Sequence, residues 1–444
     1  MNTFYIRTFG CQMNEHDSEC LALLLEQAGL RPVDKPGRAD LIIINSCSVR
    51  AKPEHKALSE AGRFQLLRRR RGTRVVLAGC VAQQQGRELL ERVAWLDGVI
   101  GPDAVSRIAD IAGRLSRGER VLDVEEHTTE RPDFVARPVR RCGPTALVTI
   151  MKGCNNFCSY CVVPLVRGRE VSRPHLDILR EVEELARAGC REVTLLGQNV
   201  NSYRDAQGVS FPQLLRLLDG QGAVERIRFT TSHPRDVDDQ MIEVVAKCPR
   251  VCEHVHLGLQ SGSDRILKAM NRGYSSEHFL ERVQRLRRNI PGVAITTDII
   301  VGFCTEREED FLATLEVVEK SRFEQAFSFK YSPRPGTAAA RLADDVPGEV
   351  KAQRLERLQK LLDELERAGL ERLAGSRQQV LVEGASIRDN QNYRGRTRTA
   401  RVVNFSSDTA LSPGDLVEVD ILEVRGHTLW GRAGQLLDKA ALSG

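Results

Sequence analysis

Residues 146–161 read ALVTIMKGCNNFCSYC, an apolar run followed by three cysteines with the spacing C-x3-C-x2-C. The run 146–150 has the composition of a buried β-strand, so Cys154, Cys158 and Cys161 are predicted on a loop at the strand's carboxyl end. Thiolates select zinc, copper(I) or iron–sulfur clusters, and a structural zinc site needs four ligands. Because no fourth ligand follows nearby, the spacing favours a cubane cluster with one open iron.

This spacing, with Tyr160 directly before the third cysteine, resembles the motif of the radical S-adenosylmethionine (radical SAM) superfamily. There, the open iron is chelated by the amino and carboxylate groups of the methionine moiety. The resemblance implies a [4Fe-4S] cluster on Cys154, Cys158 and Cys161, with Tyr160 among the cofactor contacts. The alternative is a group of buried or zinc-binding cysteines, although reduced chains rarely place three thiols so close together without a metal.

The composition is that of an ordinary globular protein of 444 residues, with 41% hydrophobic and 28% charged residues, and its length suggests about three domains. The first residues lack the pattern of a signal peptide, and no apolar run approaches the roughly 20 residues of a membrane span. We therefore predict a cytoplasmic protein, no membrane association and reduced thiols for its 12 cysteines.

The net charge of +5 permits a polyanionic partner without establishing one. Arginines 68–71, with Arg74, form the densest basic run. Such a run is either a solvated helix end or a nucleic-acid contact, and the sequence does not decide between the two.

Residues 1–116 alternate strand-like runs (4–9, 41–45, 74–78 and 98–100) with helical stretches, which predicts a parallel sheet covered on both faces. The first three strands are each followed by a cysteine, namely Cys11, Cys47 and Cys80. Since ligands gather at the carboxyl ends of parallel strands, these thiols should converge. Each alone could be a small core residue, but the repeated placement predicts a second cluster with three protein ligands.

Residues 117–143 are polar and are interpreted as a linker, and residues 144–374 contain six strand–helix units. Six units predict a partial (βα)6 barrel, whose site lies at the carboxyl ends of its strands. Those ends carry polar side chains that suit an adenosyl cofactor and a polar substrate. The candidate cofactor contacts among them are Gln198, Asn199, Ser232, Gln260 and Ser261.

Residues 375–444 change to a period of two, with short predicted strands at 379–382, 395–404, 416–422 and 428–432 between Gly, Pro, Asp and Asn residues. This pattern predicts a small antiparallel β-barrel. Such barrels often bind oligonucleotides, and Arg394, Arg396, Arg398 and Arg401 would add positive charge. The fold class is thus α/β, with a parallel-sheet domain, a partial barrel and a small β-barrel.

Over nearly its whole length the chain resembles the tRNA methylthiotransferases. The motifs that carry the resemblance are Thr8-Phe-Gly-Cys11-Gln-Met-Asn14, Asn45-Ser-Cys47-Ser-Val, Gly79-Cys80, Arg167-Gly168, Gly197-Gln-Asn-Val-Asn201, Thr230-Thr-Ser-His233-Pro, Gln260-Ser-Gly262 and Gly395-Arg-Thr397. The glutamine–asparagine and threonine–histidine motifs resemble the branch that acts on isopentenyladenosine. The resemblance identifies the last domain as a TRAM-type RNA-binding domain.

The resemblance implies two [4Fe-4S] clusters and S-adenosyl-L-methionine. The cluster on Cys154, Cys158 and Cys161 would cleave the cofactor to a 5′-deoxyadenosyl radical, which takes hydrogen from C2 of the modified adenine in the anticodon stem-loop of tRNA. The cluster on Cys11, Cys47 and Cys80 would supply or carry the sulfur. The implied partners are tRNA and an electron donor such as flavodoxin or ferredoxin.

One departure from the family pattern lies at Cys304-Thr305, where the family usually has Pro-Gly. Other candidate metal ligands are Cys248, Cys252, His254 and His256, which lack a complete tetrahedral set and are interpreted as structural.

Two alternative functions stay open. One is a methylthiotransferase for threonylcarbamoyladenosine in tRNA, and the other is a non-catalytic iron–sulfur protein that binds RNA or senses redox state.

Overall fold

The computed structural model describes residues 1–48, 51–124, 134, 143–386 and 392–437. Six parallel strands form the N-terminal sheet in the order β2-β1-β3-β4-β5-β6. The strands are β1 (Thr3–Thr8), β2 (Arg31–Pro32), β3 (Leu41–Ser46), β4 (Arg74–Gly79), β5 (Gly98–Ile100) and β6 (Val121–Asp123). The helices are α1 (Gln12–Gln27), α2 (Ala51–Arg71), α3 (Cys80–Arg92) and α4 (Ile108–Ser116).

The central strand β3 explains why helices cover both faces of this sheet. All six of its residues are buried. Leu41 and Ile43 join one apolar cluster, which includes residues of α1 and α4, while Ile42 and Ile44 join another with residues of α2 and α3. Alternate residues of a strand point to opposite faces, so a continuous apolar run is stable only between two layers. The predicted architecture of this domain is confirmed.

Strand β6 was not predicted, because its three residues lie in the polar stretch that was interpreted as a linker. It pairs in parallel with β5, from Gly98 opposite Val121 to Ile100 opposite Asp123. An ion pair between Arg107 and Asp123 also fixes it. The sheet therefore extends beyond residue 116.

The central domain has six main parallel strands in chain order: β7 (Thr145–Thr149), β10 (Glu192–Leu196), β11 (Arg226–Phe229), β12 (His254–His256), β13 (Ala294–Val301) and β14 (Gln325–Lys330). Bridges at Ile227–Val251 and Ser232–Leu257 join the two halves. A short hairpin pairs β8 (Met151–Lys152) with β9 (Val171–Ser172). The helices are α5 (Val163–Val166), α6 (His175–Arg187), α7 (Phe211–Gln221), α8 (Asp239–Lys247), α9 (Asp264–Ala269), α10 (Ser276–Asn289), α11 (Glu308–Ser321) and α12 (Gly348–Glu371). The predicted partial barrel is confirmed.

The C-terminal domain is a closed five-stranded barrel in the order β15-β16-β17-β19-β18. Its strands are β15 (Arg377–Ala385), β16 (Tyr393–Thr397), β17 (Val402–Ser406), β18 (Leu416–Arg425) and β19 (Thr428–Leu436). The small barrel is as predicted, with two differences. The β17–β19 pair is parallel, and the run 395–404, predicted as one strand, is divided by a turn in which Ala400 has a φ of +65°.

This turn docks the small barrel on the central domain, at the amino ends of the central strands. Arg228, at β11, donates to the carbonyl oxygens of Arg398 (2.6 Å) and Thr397 (2.7 Å) and forms an ion pair with Glu192 at 2.8 Å. In return, Arg398 binds both carboxylate oxygens of Glu253. The carboxyl ends of the strands, with the cysteine loop, lie at the opposite end of the partial barrel.

The arginines predicted to give the small barrel an RNA-binding charge are therefore largely engaged within the protein. Arg398 pairs with Glu253, and Arg401 with Glu366. Arg394 and Arg396 both pair with Glu383. The prediction for Arg398 and Arg401 is corrected, because their charges hold the domain interface. Among the described residues, no helix is long and apolar enough to span a bilayer.

Arg228→Ala is expected to destabilise this interface strongly. Its side chain is only 7% exposed, and removing one partner of a buried ion pair costs about 3–5 kcal/mol. Chemical denaturation, with limited proteolysis between residues 371 and 377, measures the effect. Arg377→Ala is the matched control, since Arg377 pairs with Asp420 while 63% exposed, and its effect should stay within about 0.5 kcal/mol. Equal effects of the two substitutions would contradict the proposed docking role of Arg228.

Candidate functional site

The loop with the three clustered cysteines follows β7 and β8 and is held by hydrogen bonds to two other segments, one at residues 269–271 and one at Arg235. Ser159 Oγ donates to the carbonyl of Ala269 (2.8 Å), and Asn271 Nδ2 to that of Phe157 (2.9 Å). Arg235 Nη2 donates to Asn156 Oδ1 at 2.6 Å. Phe157 itself has a φ of +47°, a left-handed conformation that a bulky residue adopts only where its surroundings fix it. The loop is thus preorganised.

Cys154 and Cys158 are buried and Cys161 is half-buried. Burial is the main cause that raises the pKa of Cys161 to about 12, and the neighbouring thiols of Cys158 and Cys154 add to the effect. A protonated state of such thiols is what is expected without a metal, because ligation deprotonates a coordinating thiol.

Arg272 is a site residue that the sequence analysis missed. Its Nη1 lies 3.2 Å from Cys158 Sγ and 3.5 Å from the Tyr160 hydroxyl. The same guanidinium donates to the carbonyl of Gly258 (2.8 Å) and to the hydroxyl of Tyr274 (3.0 Å). No spacing rule links Arg272 to the cysteines, which lie more than a hundred residues earlier. The arginine places a buried positive charge beside the thiolate loop.

Three buried polar atoms at the carboxyl ends of β10 and β11 have no hydrogen-bond partner among the described residues. They are Gln198 Oε1, Ser232 Oγ and His233 Nε2. His233 Nδ1 accepts from the backbone N–H of Arg235, and burial lowers the pKa of His233 to about 2. We therefore assign a neutral ring with its proton on Nε2. Buried polar groups are normally satisfied, so these atoms fit a polar ligand.

The other predicted cofactor contacts differ in their surroundings. Two of them form hydrogen bonds within the protein, and the third is only half-buried. Asn199 donates to Asp236 (2.8 Å) and accepts from the backbone of His233 (3.1 Å). The Ser261 hydroxyl is buried against Thr314 and the N–H of Ser263. Both side chains thus hold the loops around the site. Gln260 has a φ of +68° and is half-buried next to them.

The Cys304-Thr305 departure leaves a turn that is fixed by other means than Pro-Gly. Thr305 has a φ of +65°, and its N–H donates to Asp345 (2.6 Å). The N–H of Gly302 donates to Glu306 (2.8 Å), which also binds Arg354. The Cys304 side chain is buried in an apolar cluster that includes Tyr331 and Ala339. Side-chain anchors here replace the rigidity of the usual dipeptide.

The second set of cysteines lies at the carboxyl ends of three adjacent strands, as predicted. Cys11 immediately precedes α1, Cys47 follows β3 and Cys80 begins α3. Their strands are neighbours in the order β1-β3-β4. A hydrogen bond with Cys47 is the main cause that lowers the pKa of Cys11 to about 6, with Arg167 contributing. A thiol that readily loses its proton is suited to metal ligation.

Gly10 shows how tightly the chain turns at this triad. Its φ is +127°, and a Cβ there would lie 2.2 Å from the Cβ of Cys47. Gly10→Ala is therefore expected to displace Cys47, to lower stability by about 1–3 kcal/mol and to reduce the iron bound per chain. The control is Gly29→Ala, where φ is +91° and no atom lies within 4 Å. Thermal unfolding and iron analysis compare them, and equal losses would contradict this steric argument.

The two cysteine sets face one domain interface. Cys80 packs against Val162 and Val166, which follow Cys161 in the central domain. Thr149, at the end of β7, contacts His16 of α1 at 3.2 Å. Arg167 reaches across the interface to Asp17 at 2.7 Å. Strand β7, which leads to the loop of Cys154, thus contacts helix α1, which follows Cys11.

Within the described residues, neither thiol set has the geometry of a single-ion site. Among the described residues, no three cysteine, histidine or carboxylate side chains are arranged as ligands of one ion. A cubane cluster instead places each thiolate on a different iron atom, so its ligands are farther apart. Of the other candidates, Cys252 is buried and His254 is half-buried, and both lie beside the arginines at the opposite end of the partial barrel. In the basic run, Arg68 and Arg74 pair with Asp97.

Family comparisons agree with this division of the chain. Residues 3–101 match the uncharacterized protein family UPF0004, residues 148–318 the radical SAM superfamily and residues 371–433 the TRAM domain. The radical S-adenosylmethionine methyltransferase TsrM from Kitasatospora setae, solved with cobalamin and a [4Fe-4S] cluster bound, superimposes with a TM-score of 0.58. That match covers 76% of this chain and 74% of TsrM at 16% identity, which shows the fold alone. The family match over residues 148–318, which includes the thiolate loop, identifies a radical SAM protein.

Two full-length relatives narrow this class further. A protein from Geobacter sulfurreducens is 47% identical over 96% of this chain and 96% of its own length. One from Myxococcus xanthus is 47% identical over 98% of this chain and 95% of its own. Both are named tRNA-2-methylthio-N(6)-dimethylallyladenosine synthase. The chain belongs to that family.

Proposed function

We propose that this enzyme adds a methylthio group to C2 of N6-isopentenyladenosine (also called N6-dimethylallyladenosine) next to the anticodon of tRNA. The observation that carries the proposal is the pairing of two thiol triads across one interface, in a chain whose relatives bear this activity in their name. An aromatic C–H is too inert for acid–base chemistry, so a cofactor must carry that step. A tRNA substrate would place the enzyme in the cytoplasm.

Two clusters and S-adenosylmethionine would occupy the site. Cys154, Cys158 and Cys161 would hold one [4Fe-4S] cluster, and Cys11, Cys47 and Cys80 the other. The bound clusters and cofactor would supply the electron transfer, the radical chemistry and the sulfur. The side chains of the protein bind and orient these groups.

The central domain provides the polar environment for the cofactor. Arg272 stabilises negative charge next to Cys158. His233 Nε2–H offers a donor, while Gln198 Oε1 offers an acceptor. Because His233 and Ser232 are buried, their hydrogen bonds act in a medium of low dielectric constant. Packing of Val162 and Val166 on Cys80 excludes water between the two thiol sets.

The C-terminal barrel would hold part of the tRNA while its docked turn faces the central domain. This leaves the strands away from Arg398 as the RNA-binding face. Arg425, in β18, stacks on Trp430 at 4.1 Å and pairs with Glu423 of the same strand. Aromatic and arginine groups together bind unpaired bases. A small redox protein such as flavodoxin or ferredoxin would deliver the electrons.

An anaerobic turnover tests the proposal. The reconstituted protein is incubated with S-adenosylmethionine, a reductant and tRNA that carries isopentenyladenosine, and the nucleosides are analysed by mass spectrometry. We expect a methylthio mass gain on the adenosine together with 5′-deoxyadenosine. A tRNA with threonylcarbamoyladenosine is the matched control. Deoxyadenosine without the mass gain would overturn the substrate, and neither product from a protein with both clusters would favour a binding or sensing protein.

A further inference from the structure

Arg167 belongs to the central domain by sequence but to the N-terminal domain by its contacts. It follows α5, and its Nη2 lies 2.7 Å from Asp17 Oδ2 and 3.3 Å from Asn14 Oδ1. Both partners are on α1, the helix that begins directly after Cys11. The Arg167 side chain is only 5% exposed. The guanidinium is thus a buried charge that one domain inserts into the other.

Hydrogen bonds place this charge beside the N-terminal triad, because Asn14 Oδ1 accepts from Arg167 at 3.3 Å and from the Cys11 thiol at 3.5 Å. Arg167 lowers the pKa of Cys11 by electrostatic attraction. Burial raises the pKa of Cys80, and Arg167 opposes that shift through its charge and a side-chain hydrogen bond. The neighbouring Val166 packs on Cys80. Arginine presents five donors in a fixed fork, so it can bind Asp17 and still face the thiols.

We propose that Arg167 is a positioning residue for the second cluster: its charge tunes the reduction potential of the group held by Cys11, Cys47 and Cys80, and its ion pair ties that group to the radical site. The proposal rests on the function proposed above only for the assignment of these ligands. Hydrogen bonds to cluster sulfurs and local charge are known determinants of cluster potential. Buried charges act strongly because solvent screens them little.

The two charges of the ion pair predict shifts of opposite sign. A cluster becomes more negative when it is reduced, so the Arg167 cation favours the reduced form. Arg167→Gln should therefore lower the reduction potential. Asp17 opposes the arginine, so Asp17→Asn should raise it. A purely structural ion pair would behave differently, because either substitution would break the same contact and move the potential in the same direction or not at all.

The experiment isolates the second cluster by replacing Cys154, Cys158 and Cys161 with alanine in the full-length chain. Iron and sulfide are quantified after anaerobic reconstitution, and potentiometric titration is followed by electron paramagnetic resonance. Arg167→Gln should change the ratio of reduced to oxidised cluster about tenfold, or about 59 mV for one electron. Asp17→Asn should change it in the opposite sense. Arg167→Lys, which keeps the charge without the fork, should change it by less than roughly threefold.

The outcomes separate this proposal from the proposed function. Shifts of equal sign for Arg167→Gln and Asp17→Asn, or none, would overturn the role of Arg167 even if wild-type turnover succeeds. Opposite shifts would support it even if wild-type turnover shows another substrate. If Arg167→Gln fails to retain a cluster, the potential of Asp17→Asn decides, since only a raised value supports the proposal. A background protein that binds no iron would overturn it.

Discussion

Cys154→Ala is expected to abolish both reductive cleavage of S-adenosylmethionine and methylthio transfer. The thiol begins a buried loop whose geometry is fixed by Arg235, Ser159 and Asn271. With one of the three proposed ligands missing, the loop would no longer hold the cluster that binds the cofactor. Substituting a residue that hydrogen-bonds to a metal ligand lowers metal affinity or activity about 10–100-fold. Loss of the ligand itself should therefore lower cofactor cleavage by more than that. Formation of 5′-deoxyadenosine, measured by mass spectrometry, reports the effect.

The matched control is Cys248→Ala. Cys248 is a half-buried thiol of the same domain that ends α8, away from the loop. The Cys248→Ala variant should keep cofactor cleavage and iron content unchanged within about twofold, because substitution of a partly exposed residue that makes no special contact changes stability little. Cofactor cleavage that persists in Cys154→Ala would remove the loop from the radical chemistry.

Sequence patterns predicted the backbone of the site because that part depends on local rules. The alternation of strands and helices fixed where Cys11, Cys47 and Cys80 fall, and parallel strands bring their carboxyl ends to one edge. Three thiols within eight residues predicted the loop of Cys154, Cys158 and Cys161 in the same way. Neither inference needed knowledge of how the domains pack.

Contacts between distant segments were beyond those rules. Arg272 reaches Cys158 across 114 positions, and Arg167 reaches Asp17 across 150. Nothing in the local sequence distinguishes these arginines from the many solvated ones.

The arginines of the small barrel show the converse error. A cluster of charges predicts an RNA contact only if its partners lie outside the protein, and Arg398 and Arg401 find Glu253 and Glu366 within it.

The interface gives these arginines a common physical setting. Arg167 and Arg272 each bring a buried guanidinium to one thiol set, and Thr149 connects the strand before one loop to α1. In the proposed reaction, a sulfur held at the N-terminal triad would have to meet a base that is activated at the central domain. Rigid, water-excluding packing between the triads shortens that path without requiring a large domain movement. The two sets should therefore be separable in function although they are joined in structure.

Cys11→Ala tests this separation and is expected to uncouple the reaction. Cofactor cleavage should continue, because the loop at Cys154, Cys158 and Cys161 is intact. The methylthio product should fall by more than about 100-fold, since the triad loses the ligand that begins α1. One assay measures both, with 5′-deoxyadenosine and the methylthio nucleoside quantified from the same anaerobic reaction. The ratio of the two products is the informative quantity.

Cys20→Ala is the control for damage to α1, because Cys20 is buried on the same helix and contacts His16 at 3.8 Å. Any loss that arises from helix packing should appear in both variants, whereas uncoupling should appear only in Cys11→Ala. A normal ratio of products in Cys11→Ala would mean that the N-terminal triad is not the source or carrier of sulfur. Loss of cofactor cleavage as well would mean that the triad supports the radical site, and the strand-end cysteines would then serve structure rather than sulfur transfer.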